Sequence, residues 1–361
     1  MENKIYLQKS FFGEKEKRIA ENGDLKVSTF VYDSGVAAVR VANRRGYIIV
    51  LPFKGQQVWR AVFDQHELIM RNLFDEPEAT NEFLKTYGGF MIHCGLTAMG
   101  NPSPEDTHVI HGELPCAPYR NAALLCGEDA GGRYVTVTGE YEFKIGFENA
   151  YRFRPECKLY EDGTVIHMTS NIENLRNFPM EYLYLCHINF RPVDGSRLVY
   201  SAKKENVYTH VLVPDNMNPE DKAKLEAYFE MLRKDVTCHE NVGAEGQFYQ
   251  PEIVFTVRYE QDEDGRGYCL QRLPDGYAHY VSHRPSQLPY GLRWISRMGE
   301  EDAMGMLLPA TAEHNGYLDC KAKGYIRHLP ARGAVRFDFE AGLLCPESAQ
   351  KVADKIESML K

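Results

Sequence analysis

"EYLYLCHINFRPVDG", residues 181–195, is the stretch on which the reading of this chain turns. In an extended segment successive side chains point to opposite faces. Leu183, Leu185, His187 and Asn189 then share one face, and Tyr182, Tyr184, Cys186, Ile188 and Phe190 share the other. The second face is continuously apolar or aromatic, as a strand packed on a core requires. The first begins apolar and turns polar at His187 and Asn189, followed in alternation by Arg191. A lone histidine on such a face is most simply a buried imidazole bonded to a backbone carbonyl. Three polar groups in alternation instead mark a face that opens on a polar space, so this end of the strand is expected to edge a pocket.

Outward from it, the same kind of segment recurs. "LKVSTFVY", "GYIIVLPF", "RYVTVTGEYEF", "TVIHMTSNI", "EIVFTVRY", "GLRWIS" and "AVRFDFEAGLL" are short, rich in β-branched and aromatic residues, and bounded by Gly, Pro, Asn or Asp. Helical periodicity is scarce. One helix is expected over 218–235, with Pro219 in its first turn and Leu225, Tyr228, Phe229 and Leu232 on one face; a second closes the chain at about 347–360. No repeat of propeller length and no linker or charge block divides the sequence. The expectation is all-β: a large antiparallel sandwich, one domain over 1–361, with the first helix as a surface insertion.

Composition narrows the function classes. Hydrophobic residues make up 43% and charged residues 26%, enough apolar material for a substantial core. The net charge of −9, from 51 acids against 42 bases, carries no basic patch. Nucleic acid and membrane are therefore not expected partners. Nine cysteines, an odd number with no C-x-x-C pair, suit reduced thiols and a cytoplasmic location; the N-terminus reads as no secretory signal.

Other polar stretches carry the remaining candidates. In "EDTHVIHGELPCAPY", 105–119, an extended chain would put His111 and Glu113 on one face and turn His108 away. A metal would need both histidines together on a helical turn, which Gly112 and Pro115 discourage, so no metal is expected. The Gly- and Pro-rich loop 86–108 lacks the glycine order that cradles phosphate; its His93 either lines a site or caps a turn. Glu313 and His314 follow an apolar run at 302–310 and read as ordinary turn residues before Asn315–Gly316.

Taken in order, these segments resemble the aldose 1-epimerase (galactose mutarotase-like) superfamily. The similarity lies in Asn171, Asn174 and Pro179 leading to His187, Asn189 and Phe190, and in "IHGE" at 110–113. "TYGGF", "HCGLTAMG", "PSPEDTHVIHGELP" and "HINFRPVDG" look more closely like an uncharacterised bacterial branch of that superfamily. The resemblance implies a β-supersandwich whose concave face holds a free sugar, with neither metal nor organic cofactor. It implies that a carboxylate takes the anomeric hydroxyl proton while a histidine protonates the ring oxygen. His187 matches that acid and His111 the histidine that orients the sugar. The family's carboxylate position falls on Leu308, leaving Glu313 or Glu113 as substitutes; the family's arginine is missing, and His93 could fill its space.

The expected function is thus interconversion of the anomers of a free or modified monosaccharide. His187, His111, Glu313 and Glu113 are the catalytic candidates. His93, Asn189, Arg191, His108, Tyr87 and Trp294 are the sugar-contact candidates, Arg191 toward an acidic substituent. The rivals are a sugar-binding protein without turnover, using Trp59, Trp294 and Tyr87 as stacking platforms, and a lyase or isomerase on the same fold. Oligomeric state and the identity of the sugar are not written in the sequence.

Overall fold

A computed structural model describes residues 2–361. Two large antiparallel sheets, of nine and thirteen strands, pack face to face, as expected of the sandwich. Five strands near the middle of the larger sheet concern the site: β1 (Met91–Leu96), β2 (Met180–Ile188), β3 (Ile253–Val257), β4 (Tyr290–Arg297) and β5 (Asp302–Ala310). They lie side by side in the order β3-β4-β5-β2-β1.

The alternation read from residues 181–190 sets which way this sheet faces. Tyr184 packs on Phe153 and Phe337 of the smaller sheet, with ring centroids 6.0 and 5.1 Å away. Leu185 and His187 therefore project from the opposite face, away from the inter-sheet core. Neighbouring strands continue that face through Val254, Leu292, Trp294 and Leu308, all lining one cavity with Leu185 and His187. Register also corrects one expectation. His93 sits opposite Cys186, so its ring enters the core, where it bonds the Tyr184 hydroxyl at 2.8 Å and meets Phe153 edge-on. At 2% exposure it cannot reach a sugar.

The outer face is covered around the site by Asn101, Ile110 and His111 of chain 97–119 and by the short turn Phe83–Thr86. Here 108–113 is not extended, so His111 and Glu113 do not share a strand face. The Gly112 N–H donates to the Val109 carbonyl at 3.0 Å and reverses the chain. His111 itself adopts a left-handed conformation, φ 60°, which costs a non-glycine residue roughly 1–2 kcal/mol. Two backbone hydrogen bonds hold it there: its N–H donates to Gly100 at 3.0 Å, and its carbonyl accepts from Gly95 at 2.9 Å. Gly112 has no alternative, because a Cβ would stand 2.3 Å from the Ala98 carbonyl oxygen.

Helix α1 spans Pro219–Lys234, capped by the Asn218 side chain, and buries Leu225, Tyr228, Phe229 and Leu232. A short helix α2 covers Gly316–Ala322, and α3, Pro346–Met359, closes the chain. No helix among the described residues is long and apolar enough to cross a membrane.

Candidate functional site

The sheet's outer face and the covering loops line a cavity of about 120 Å³. Leu185, Val254, Leu292 and Leu308 give it an apolar floor. The polar groups converging on it are Tyr87, Asn101, His111, His187, Glu252 and His314, with Trp294 as one wall. His187 is the hub. Its ring centroid lies 5.2 Å from that of His111, 5.1 Å from Trp294 and 5.7 Å from Tyr87, each edge to face.

Asn189 fixes the imidazole. Its amide nitrogen donates to the Gly89 carbonyl at 2.9 Å, so its Oδ1 must face His187, 2.6 Å from Nδ1. Tyr87 Oη donates to the same Oδ1 at 3.3 Å. Nδ1 therefore carries the ring proton, and Nε2 is left as the acceptor. Burial drives the His187 pKa down to about 4, partly offset by the bond to Asn189. Burial likewise holds His111 well below its ordinary value, with His187 and His314 adding repulsion, and takes His314 down to about 3. Nδ1 of both His111 and His314 is buried without a hydrogen-bond partner among the described residues, leaving these rings unspent polar capacity at the cavity. Desolvation raises Tyr87 well above the usual phenol value, so it stays a neutral donor.

The cavity's carboxylate is Glu252, at the head of β3. The Trp294 indole N–H donates to its Oε2, which places this acid just beyond the ring that flanks His187. Sequence reasoning missed it. "EIVFTVRY" contains the signal, an acid followed in alternation by Val254 and Thr256, yet an acid opening an apolar strand reads as a strand boundary.

Of the expected site residues, the structure brings His187, His111, Tyr87 and Trp294 together, with Leu308 among them. The others lie elsewhere. Glu113 turns beneath the loop, accepting from the backbone N–H groups of Leu96 and Thr97 at 3.0 and 3.1 Å, from Thr97 Oγ1 at 2.7 Å and from the Tyr151 hydroxyl. Those bonds occupy the carboxylate. Glu313 pairs with Lys323 at 2.8 Å outside the cavity. His108 bonds the Val109 carbonyl and faces Asp106. Asn189, fully buried, orients His187 instead of meeting a ligand. Arg191 misses the site because β2 ends at Ile188; the chain then pairs with residues 68–70, the Arg191 N–H donating to Leu68 at 2.8 Å, and its side chain enters a different cleft together with Trp59.

With this geometry in place, similarity to known proteins can be weighed. The profile of a family described as a domain of unknown function (DUF4432) matches residues 33–343. No curated protein matches the sequence. Among solved structures, a Klebsiella pneumoniae protein provisionally described as an aldose 1-epimerase superposes with a TM-score of 0.80 at 15% identity, over 100% of this chain and 96% of that one. A galactose mutarotase-like protein from Clostridium acetobutylicum gives 0.58 at 13% identity, covering 90% and 100%. Galactose 1-epimerase from Lactobacillus acidophilus gives 0.52 at 11%, covering 95% and 98%. At these identities the likeness establishes a galactose mutarotase-like fold.

Proposed function

The chain belongs to the DUF4432 family, and from its cavity we propose that it is an aldose 1-epimerase-type isomerase that interconverts the anomers of a monosaccharide by acid–base ring opening. The supporting observation is the meeting, in one apolar cavity, of an imidazole whose Nδ1 is pinned and a carboxylate held beside the same indole wall. Opening a pyranose moves one proton off O1 and one proton onto O5, while the C1–O5 bond breaks and a C1 carbonyl forms. After rotation about C1–C2 the steps reverse on the other face. Two groups sharing one proton meet that need, donor and acceptor exchanging roles on closure. His187 Nε2 and Glu252 are that pair. Trp294 and Tyr87 supply stacking surface, and His111 and His314 hydrogen-bond the hydroxyls.

Near pH 7 the buried His187 imidazole is neutral, one proton short of the donor that ring opening needs. The His187 pKa is lowered to about 4. The sign follows: above that value the protonated imidazole is a minority, and it grows as pH falls. kcat/KM is expected to rise roughly tenfold per pH unit between about pH 7 and 5. A flat profile, or one rising toward alkaline pH, would remove His187 from the proton transfer. The primary test is NMR or polarimetry of freshly dissolved α-aldoses across a broad panel, with equilibration faster than the spontaneous rate as the expected result.

A second reading, sugar binding without turnover, is favoured by Leu308, which lines the cavity where the resemblance calls for a carboxylate. Saturable sugar binding without acceleration for any sugar would select it.

A further inference from the structure

A second cleft, of about 250 Å³, shares no lining residue with the proposed sugar cavity. The two adjoin through the backbone, since Tyr87 lines the first and Gly88 the second. Three arginines from separate segments enter it: Arg60, Arg71 and Arg191. Among the described residues, the carboxylates lining the same cleft are Glu67 and Asp75.

Each guanidinium is differently placed. Arg60 is paired, its Nε 2.6 Å from Glu67 Oε1. Arg191 is half-buried, its Nε donating to the Ile69 carbonyl at 3.1 Å, with a terminal nitrogen 3.9 Å from Glu67 Oε2. Arg71 is anchored through its backbone, which exchanges hydrogen bonds of 3.0 and 3.1 Å with Asp302, while its side chain makes no ion pair among the described residues. Glu67 is thus divided between two arginines, and Asp75, on the cleft wall, forms no ion pair with any of the three among the described residues. Burial lowers the Arg191 pKa, Glu67 offsets part of that, and the neighbouring Arg71 and Arg60 charges lower it further.

We propose that this cleft binds a phosphate-type oxyanion, separately from the sugar cavity. Guanidiniums approaching from three chain segments suit a tetrahedral dianion with several free oxygens; a single carboxylate needs only one of them. The shared chemistry covers free phosphate and the phosphate group of a small ester.

The test is calorimetric titration of the full chain at low ionic strength with inorganic phosphate, glycerol phosphate and acetate, without sugar present. Saturable binding near about 1 mM is expected for at least one phosphate, and none for acetate. Binding of inorganic phosphate identifies the free ion as sufficient; binding of glycerol phosphate alone identifies an ester. Arg71→Gln and Arg191→Gln should each weaken binding about tenfold. Arg120→Gln makes the same charge change at an exposed position outside the cleft and should leave binding unchanged. The proposal is overturned if neither phosphate binds, if acetate binds equally, or if Arg120→Gln weakens binding as much. None of these outcomes depends on whether the protein turns over a sugar.

Discussion

Glu252→Gln and His187→Ala should each lower catalysed anomer equilibration by about a thousandfold in kcat/KM, and the double variant should lose little more than either alone. Positioned proton transfer is worth roughly 10² to 10⁴ in rate. Groups that share one proton act as a unit, so removing the second after the first costs little. Glutamine suits the test because its carbonyl oxygen can still accept from the Trp294 indole N–H, preserving the wall beside His187 while removing the proton acceptor. Glu313→Gln serves as the contrast. That carboxylate is spent on Lys323 outside the cavity, so its variant should stay within about threefold of wild type. Polarimetry of each purified variant, with the spontaneous rate subtracted, decides the matter. Glu252→Gln at near-wild-type rate would dismiss the carboxylate, and strictly multiplicative losses would dismiss the shared proton.

The fold was legible because alternation is local. Residues 181–190 carry an apolar face that packs on Phe153 and Phe337 and a second face that turns polar at its end, and both properties survive into the sandwich. The helix at Pro219–Lys234 was legible for the same reason, its cap, proline and apolar stripe all lying within the segment. Half of the site was not local. His93 and His187 belong to adjacent strands, but antiparallel register sets His93 opposite Cys186 and sends it into the core. Arg191 continues the alternation of His187 and Asn189 in the sequence, yet the strand stops at Ile188 and a new partner segment takes over. Glu252 reached the cavity through the pairing of β3 with β4, which sets Val254 opposite Trp294. Spacing within one segment cannot reveal which strands will be neighbours, and that neighbour relation chose the carboxylate.

Glu113 was attractive from sequence because it stands two residues from His111, and its environment predicts a different phenotype. Glu113→Ala should lower the free energy of unfolding by about 3–5 kcal/mol. The carboxylate accepts from two backbone N–H groups, a threonine hydroxyl and the Tyr151 hydroxyl, and Tyr151 is fully buried. Each buried donor left without an acceptor costs roughly 1–3 kcal/mol, and the threonine hydroxyl alone is free to rotate toward another partner. Glu113→Gln keeps one accepting oxygen and should cost only about 1–2 kcal/mol. Urea unfolding of the two variants measures both numbers. The same pair separates structure from chemistry, because folded Glu113→Gln should retain the wild-type pH profile even where its rate falls slightly. A thousandfold rate loss at unchanged stability would return Glu113 to the proton-transfer pair. The hydrogen bonds argue otherwise: a carboxylate held by several donors beneath the loop is an anchor, and what it anchors is the start of the loop that folds back to present His111.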